Sequence, residues 1–174
     1  IRVIMSNITF VKYMKIGLIG MLKNSLFKLI FLLFLSTETF SSEHVVKGVG
    51  MEWKPSVTFA KTGDRIKFIG MIGHDSESIE NMLPSGAQNW KSKMGEEGFT
   101  ITLDKEGLYI YKCNPHVAVG MFGAIVVGEP TRIPNNFDKV TENLTKVRIG
   151  KNAVKKVLTK VERAVKSKLA HSQS

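Results

Sequence analysis

Cys113-Asn-Pro-His-Val-Ala-Val-Gly-Met121 brings a thiolate, an imidazole and a thioether together within nine residues. Soft sulfur combined with imidazole selects copper, zinc or iron–sulfur chemistry over hard cations. Cys113 is the only cysteine, so no disulfide can form within the chain and the sulfur is left for a metal. Of the four histidines, His116 lies inside the segment. His74 follows the strand-like Arg65–Ile69 and the small stretch Gly70-Met-Ile-Gly73, while His44 and His171 lie towards the ends. Two imidazoles and a thiolate in a plane, with a long axial thioether, form a copper site that carries electrons. His74, Cys113, His116 and Met121 match that set. Zinc stays open on ligand type, although its structural sites more often use several cysteines. A Cys113–His116 nucleophile is a third chemistry, but no Asn or Asp is obviously placed to orient the base.

Such ligands need a rigid frame, and the surrounding pattern supplies one. Val57–Ala60, Arg65–Ile69, Phe99–Leu103, Leu108–Lys112 and Phe122–Val127 are short alternating or apolar runs. Turn residues separate them, at Lys61-Thr-Gly-Asp64 and Asp104-Lys-Glu-Gly107. Short strands at this spacing predict a mainly β sandwich or barrel. Residues 85–94 lack alternation and read as a short helix or a loop. A loop between two adjacent strands would present Cys113, His116 and Met121 at one end of the sandwich, with His74 anchoring the metal to its body. Composition shifts at Glu129-Pro130, and Asn135 or Asn136 can cap a helix that follows. From Gly150 the apolar residues Val154, Val157, Leu158, Val161, Val165 and Leu169 recur at helical spacing, with lysines off the stripe. That stripe is expected to pack on the domain.

The chain has 174 residues and is basic, with Lys+Arg 25 against Asp+Glu 15. Residues 1–42 read as a secretory leader and upstream residues, removed on export. Lys23 and Lys28 precede the apolar run Leu29–Leu35, and small polar residues follow. The run is too short to span a bilayer, so no stable membrane insertion is expected. Cleavage after Ser41 fits the small residues at Thr39 and Ser41. Residues 43–130 then form the metal-binding domain and residues 131–174 a helical extension. Export and the lack of basic–aromatic interleaving argue against nucleic-acid binding.

The segments Gly73-His-Asp-Ser-Glu77, Met82-Leu-Pro-Ser-Gly-Ala87, Trp90-Lys-Ser-Lys93, Gly107-Leu-Tyr109, Cys113-Asn-Pro-His116, Gly120-Met121 and Val126-Val-Gly128 resemble the pseudoazurin group of blue-copper (cupredoxin) proteins. The resemblance runs from about Val49 into the C-terminal helix. It implies one type 1 copper ion held by His74, Cys113, His116 and Met121, in an eight-stranded Greek-key sandwich with two C-terminal α-helices packed on it. It also implies a periplasmic, monomeric electron carrier rather than an enzyme. Electrons would pass through the edge of His116, ringed by Met51, Pro84, Pro115, Val117, Ala118 and Val119. Lys91, Lys93 and Lys112, with Lys47 and Lys54 behind them, would steer acidic redox partners such as copper nitrite reductase, nitrous-oxide reductase, cytochrome c or a dehydrogenase. One departure is Asp75, where the group commonly carries Asn. Its amide can still donate to the thiolate, while its carboxylate is expected to lower the reduction potential. Copper storage or delivery is the alternative function. A Ser42-Glu43-His44 terminus could bind copper(II) in a square plane.

Overall fold

Alternation makes Arg65–Ile69 a strand with one buried face, since Ile66 and Phe68 are buried and apolar while Arg65 and Lys67 beside them are charged. The computed structural model describes residues 41–173; the leader reading falls almost wholly on residues outside them. Eight strands form two sheets: β1 (Glu43–Val49), β2 (Glu52–Lys54), β3 (Val57–Ala60), β4 (Arg65–Ile69), β5 (Glu77–Ser78), β6 (Thr100–Thr102), β7 (Gly107–Lys112) and β8 (Phe122–Val127). One sheet has the order β2-β1-β4-β6 and the other β3-β8-β7-β5. β1 runs parallel to β4 and β3 parallel to β8, so the chain crosses between sheets as a Greek-key sandwich does. Residues 85–94 take the loop option, apart from a bridge between Glu77 and Lys91.

Two helices follow the sheets, α1 (Phe137–Glu142) and α2 (Lys151–Ser172), joined by a 3-10 turn at Asn143–Lys146. Val154, Val157, Leu158, Val161 and Val165 are buried as the periodicity requires. Leu169, expected on the same stripe, is 41% exposed, because α2 outruns the surface it covers. Asn136 stands at the N-cap of α1, yet its side chain makes no cap bond. Its Oδ1 accepts from the Leu108 N–H at 2.7 Å and its Nδ2 donates to the Leu108 carbonyl at 2.9 Å. That ties α1 to β7 instead.

The central pair β7–β8 is covered on both sides, so nearly every residue in it is buried. Leu108, Ile110, Phe122, Ala124 and Val126 face the helices. Tyr109, Tyr111, Ile125 and Val127 face the opposite sheet. Cys113 and Met121, just beyond the strand ends, belong to this second cluster with Trp53, Ile66, Phe68 and Met71. Gly123 makes room for it, since a Cβ there would collide with the Tyr111 ring.

Candidate metal centre

The backbone of the Cys113–Met121 segment is closed on itself. The Cys113 N–H donates to the Met121 carbonyl at 3.0 Å, the Met121 N–H to the His116 carbonyl at 3.1 Å, and the His116 N–H to the Cys113 carbonyl at 3.2 Å. β7 and β8 pair antiparallel up to Lys112 and Phe122, so the loop is clamped at both ends. Pro115 restricts its turn.

His74 comes from the other sheet. After β4 the chain turns through Gly70–Gly73, where Glu97 accepts the N–H groups of Gly70 and Met71, each at 2.9 Å. Those two bonds hold the Glu97 carboxyl below its ordinary pKa. The His74 N–H donates to the Met71 carbonyl at 2.8 Å, and its own carbonyl accepts the Gly95 N–H at 2.9 Å. Gly48 on β1 backs the imidazole: a Cβ there would lie 2.8 Å from the Gly70 carbonyl oxygen and 2.9 Å from His74 Cδ2. Only glycine fits this approach. Gly48 and Glu97 carry no signal in the sequence that would mark them as supports.

The elements converge on three donor atoms. His74 Nδ1 and His116 Nδ1 are 3.1 Å apart, His116 Nδ1 and Cys113 Sγ 3.4 Å, and His74 Nδ1 and Cys113 Sγ 3.6 Å. A triangle with these edges has a centre about 2 Å from each corner, the length of a metal–imidazole bond. Among the described residues this is the one group of three or more His, Cys, Asp or Glu side chains able to hold a metal ion. Cys113 and Met121 are buried, at 0% and 1% exposure. His74 is buried and His116 partly exposed. The donor set of one thiolate and two imidazoles beside a buried thioether is the type 1 copper pattern.

Electrostatics suits a metal that displaces protons. Burial raises the pKa of the Cys113 thiol, against the backbone N–H groups of Asp75 and His116, which favour the thiolate. Burial, and then the neighbouring His116, lower the His74 pKa, while the Asp75 carboxylate raises it. His74 is therefore held as a neutral ligand. Asp75 is buried and ties the two ligand segments together, accepting the Asn114 N–H at 2.6 Å and its Nδ2–H at 2.8 Å. The Asn114 Nδ2 also donates to Glu77, an interaction the sequence did not reveal.

Other expected residues fall differently. Pro115, Ala118 and Val119 are exposed on the ligand loop, and Met51 is exposed in a groove shared with Val119. Val117, expected in the same patch, is partly buried against the helical core. Pro84 is buried and packs beside Gly107 and Asn136, at the end of β7 far from Cys113, so it is no part of such a patch. Lys91 and Lys112 share Glu77, at 3.4 and 4.0 Å. Ser42 and His44, of the expected terminal site, both lie against Asp64: the Ser42 N–H donates to Oδ1 and His44 Nε2 sits on Oδ2, each at 2.8 Å. Burial pushes the Asp64 carboxyl up, but the bonds from His44, Lys61 and Ser42 outweigh it and hold the pKa low.

Comparison with known proteins agrees with this geometry. Residues 41–128 match the family model of copper binding proteins, plastocyanin/azurin family. A pseudoazurin of Paracoccus pantotrophus is 37% identical over 114 residues, covering 62% of this chain and 76% of the relative. A pseudoazurin of Methylorubrum extorquens is 41% identical over 80 residues, covering 45% of this chain and 53% of the relative. The crystal structure of pseudoazurin from Methylobacterium extorquens AM1 superimposes with a TM-score of 0.58 at 31% identity, over 69% of this chain and 99% of that one. A Sinorhizobium pseudoazurin superimposes with a TM-score of 0.61 at 36% identity, over 70% and 97%. The chain belongs to the plastocyanin/azurin family of copper-binding proteins, on its pseudoazurin branch, whose members are electron-transfer cupredoxins rather than enzymes.

Proposed function

We propose that His74, Cys113 and His116 hold one copper ion in a trigonal plane, with Met121 as weak axial ligand, and that the protein shuttles single electrons between redox partners in the periplasm. The observation that supports this is the donor triangle, whose 3.1–3.6 Å edges suit a metal at its centre. Copper supplies a one-electron couple there. The protein contributes rigidity: the closed Cys113–Met121 backbone and the Glu97-braced turn hold the ligands alike in both oxidation states, which keeps reorganisation small. Cys113 and His74 are shielded from water, while the partly exposed His116 is the route by which electrons enter and leave.

Pro115, Ala118, Val119 and Met51 supply an apolar docking surface around His116. Lys93 contributes positive charge, whereas Lys91 and Lys112 are partly offset by Glu77. Lys156 and Lys160 of α2 line one groove with Met51 and Val119, so the helix extends the basic rim. An acidic redox protein, such as a copper nitrite reductase, a nitrous-oxide reductase or a cytochrome c, is the partner class this surface fits. The leader is removed on export, residues 43–130 form the copper domain, residues 131–174 extend it, and the carrier works as a monomer. No helix among the described residues is long and apolar enough to cross a membrane.

Potentiometric titration of the copper-loaded protein tests the reading. A single reversible wave with a slope of about 59 mV per decade, as one electron requires, is expected. An irreversible wave, or a protein that takes zinc and refuses copper, would overturn it.

A further inference from the structure

The core behind the metal centre is aromatic, and its rings form a continuous file. The Trp53 ring lies 6.0 Å from His74 and 5.6 Å from Tyr111, centroid to centroid. Tyr111 lies 6.2 Å from Trp90. Trp53 and Tyr111 are fully buried, whereas Trp90 is partly exposed and lines two surface grooves on the flank of the sandwich. Packing alone does not explain these residue types. Trp53 Nε1 and Tyr111 Oη are buried with no hydrogen-bond partner among the described residues. Each such orphan is destabilising, and phenylalanine would fill much of the same space without one. A redox role is one recognised reason for keeping a buried unpaired polar group.

We propose that Trp53, Tyr111 and Trp90 form a relay that carries oxidising equivalents from the metal centre to the protein flank, sparing the ligands. The inference rests on the copper reading above. Its oxidant is hydrogen peroxide, which takes one electron from the reduced copper, leaving copper(II), and splits into hydroxide and a hydroxyl radical. That radical takes one electron from Trp53 and becomes hydroxide. An electron from Trp90, passed across the Tyr111 ring, refills Trp53. Trp53 Nε1–H meets no acceptor among the described residues, so no protein base stands ready to take the proton of the oxidised indole. Trp90 Nε1–H donates to Ser76 Oγ at 3.0 Å, a neutral hydroxyl rather than a base. A small thiolate in solution then returns one electron to Trp90 and leaves as a thiyl radical. Without thiol, the copper(II) left by the first step takes a second electron from Trp90 along the same file and returns to copper(I). Uptake of a water oxygen with release of two protons then leaves hydroxytryptophan at position 90.

The test is peptide mapping of the reduced, copper-loaded protein after brief exposure to peroxide without thiol, with the zinc-loaded protein as control. A visible thiolate-to-copper band before reduction shows that loading succeeded, so failure of the copper reading is seen separately. Oxygen addition at Trp90 is expected to depend on copper and to fall about tenfold in Trp53→Phe, as loss of a rate-controlling step would do. His74, Cys113 and His116 should then be oxidised faster. Trp90→Phe, a change at the partly exposed end of the file, should also speed ligand oxidation while leaving the visible band in place. Equal Trp90 oxidation with zinc, or unchanged Trp90 labelling in Trp53→Phe, would overturn the relay. So would ligand oxidation that is the same in all three proteins.

Discussion

The two faces of the β7–β8 pair are built from different materials. Towards α1 and α2 they present Leu108, Ile110, Phe122, Ala124 and Val126, met by valines and leucines of the helices. Towards the other sheet they present Tyr109 and Tyr111, met by Trp53 and Phe68, with Cys113 and Met121 in the same cluster. Aliphatic packing tolerates repacking as long as volume is kept. Aromatic rings are larger and have fewer rotamers, so they fix their neighbours more tightly. Trp53 touches both Phe68, at 5.6 Å, and the ligand His74, at 6.0 Å. The metal centre is thus an extension of the inter-sheet core, while the helical layer meets the ligand loop at Val117 and Gly120.

The comparison can be broken most strongly on the aromatic side. Phe68→Ala should cost about 3–5 kcal/mol of stability and also broaden the copper spectrum, because it removes the support behind Trp53. Urea unfolding together with electron paramagnetic resonance checks both effects. Leu158→Ala, on the helical side, should cost about 2–3 kcal/mol yet leave the reduction potential where it was. A shift in potential comparable to that of Phe68→Ala would show that the two cores are not independent.

Changes beside the ligands sharpen the picture with smaller effects. Asp75→Asn removes a buried negative charge near the centre and should raise the potential by about 60 mV, the equivalent of about tenfold in a one-electron equilibrium. No upward shift in voltammetry would contradict the role given to Asp75. The metal-free protein should lose stability as pH falls below 6.5, the ordinary histidine pKa. His74 has a lowered pKa when folded, so the unfolded chain takes up its proton first and unfolding is favoured from 6.5 down to the folded value. Measuring the urea midpoint from pH 7.5 to 5.5 tests this, and His74→Gln should flatten the dependence. Smallest is a proton count: copper binding near neutral pH should release about one proton from the Cys113 thiol, read with a weakly buffered indicator.

Much of this was legible because periodicity and ligand chemistry are local. The alternating Leu108-Tyr-Ile-Tyr-Lys112 already separates an aliphatic from an aromatic face, and the Cys113–Met121 spacing names three donors. What escaped depends on distant partners. β1 lacks a clean alternation, since only Val46 and Gly48 face inwards, and it becomes a strand by pairing with β4. β5 has two residues, too few for any pattern. Nothing local marks Pro84 as buried, yet the fold packs it against Gly107, and Leu169 keeps the helical period beyond the end of its support. Gly48, Glu97 and the tie between Asp75 and Asn114 have meaning only once the sheets are stacked.

The measurement that tests the account most directly is the visible spectrum of the protein titrated with copper(II), beside Cys113→Ser. The donor triangle predicts an intense thiolate-to-copper charge-transfer band that saturates at one ion per chain and is lost entirely in the variant. A colourless complex, or a band that survives in Cys113→Ser, would contradict it.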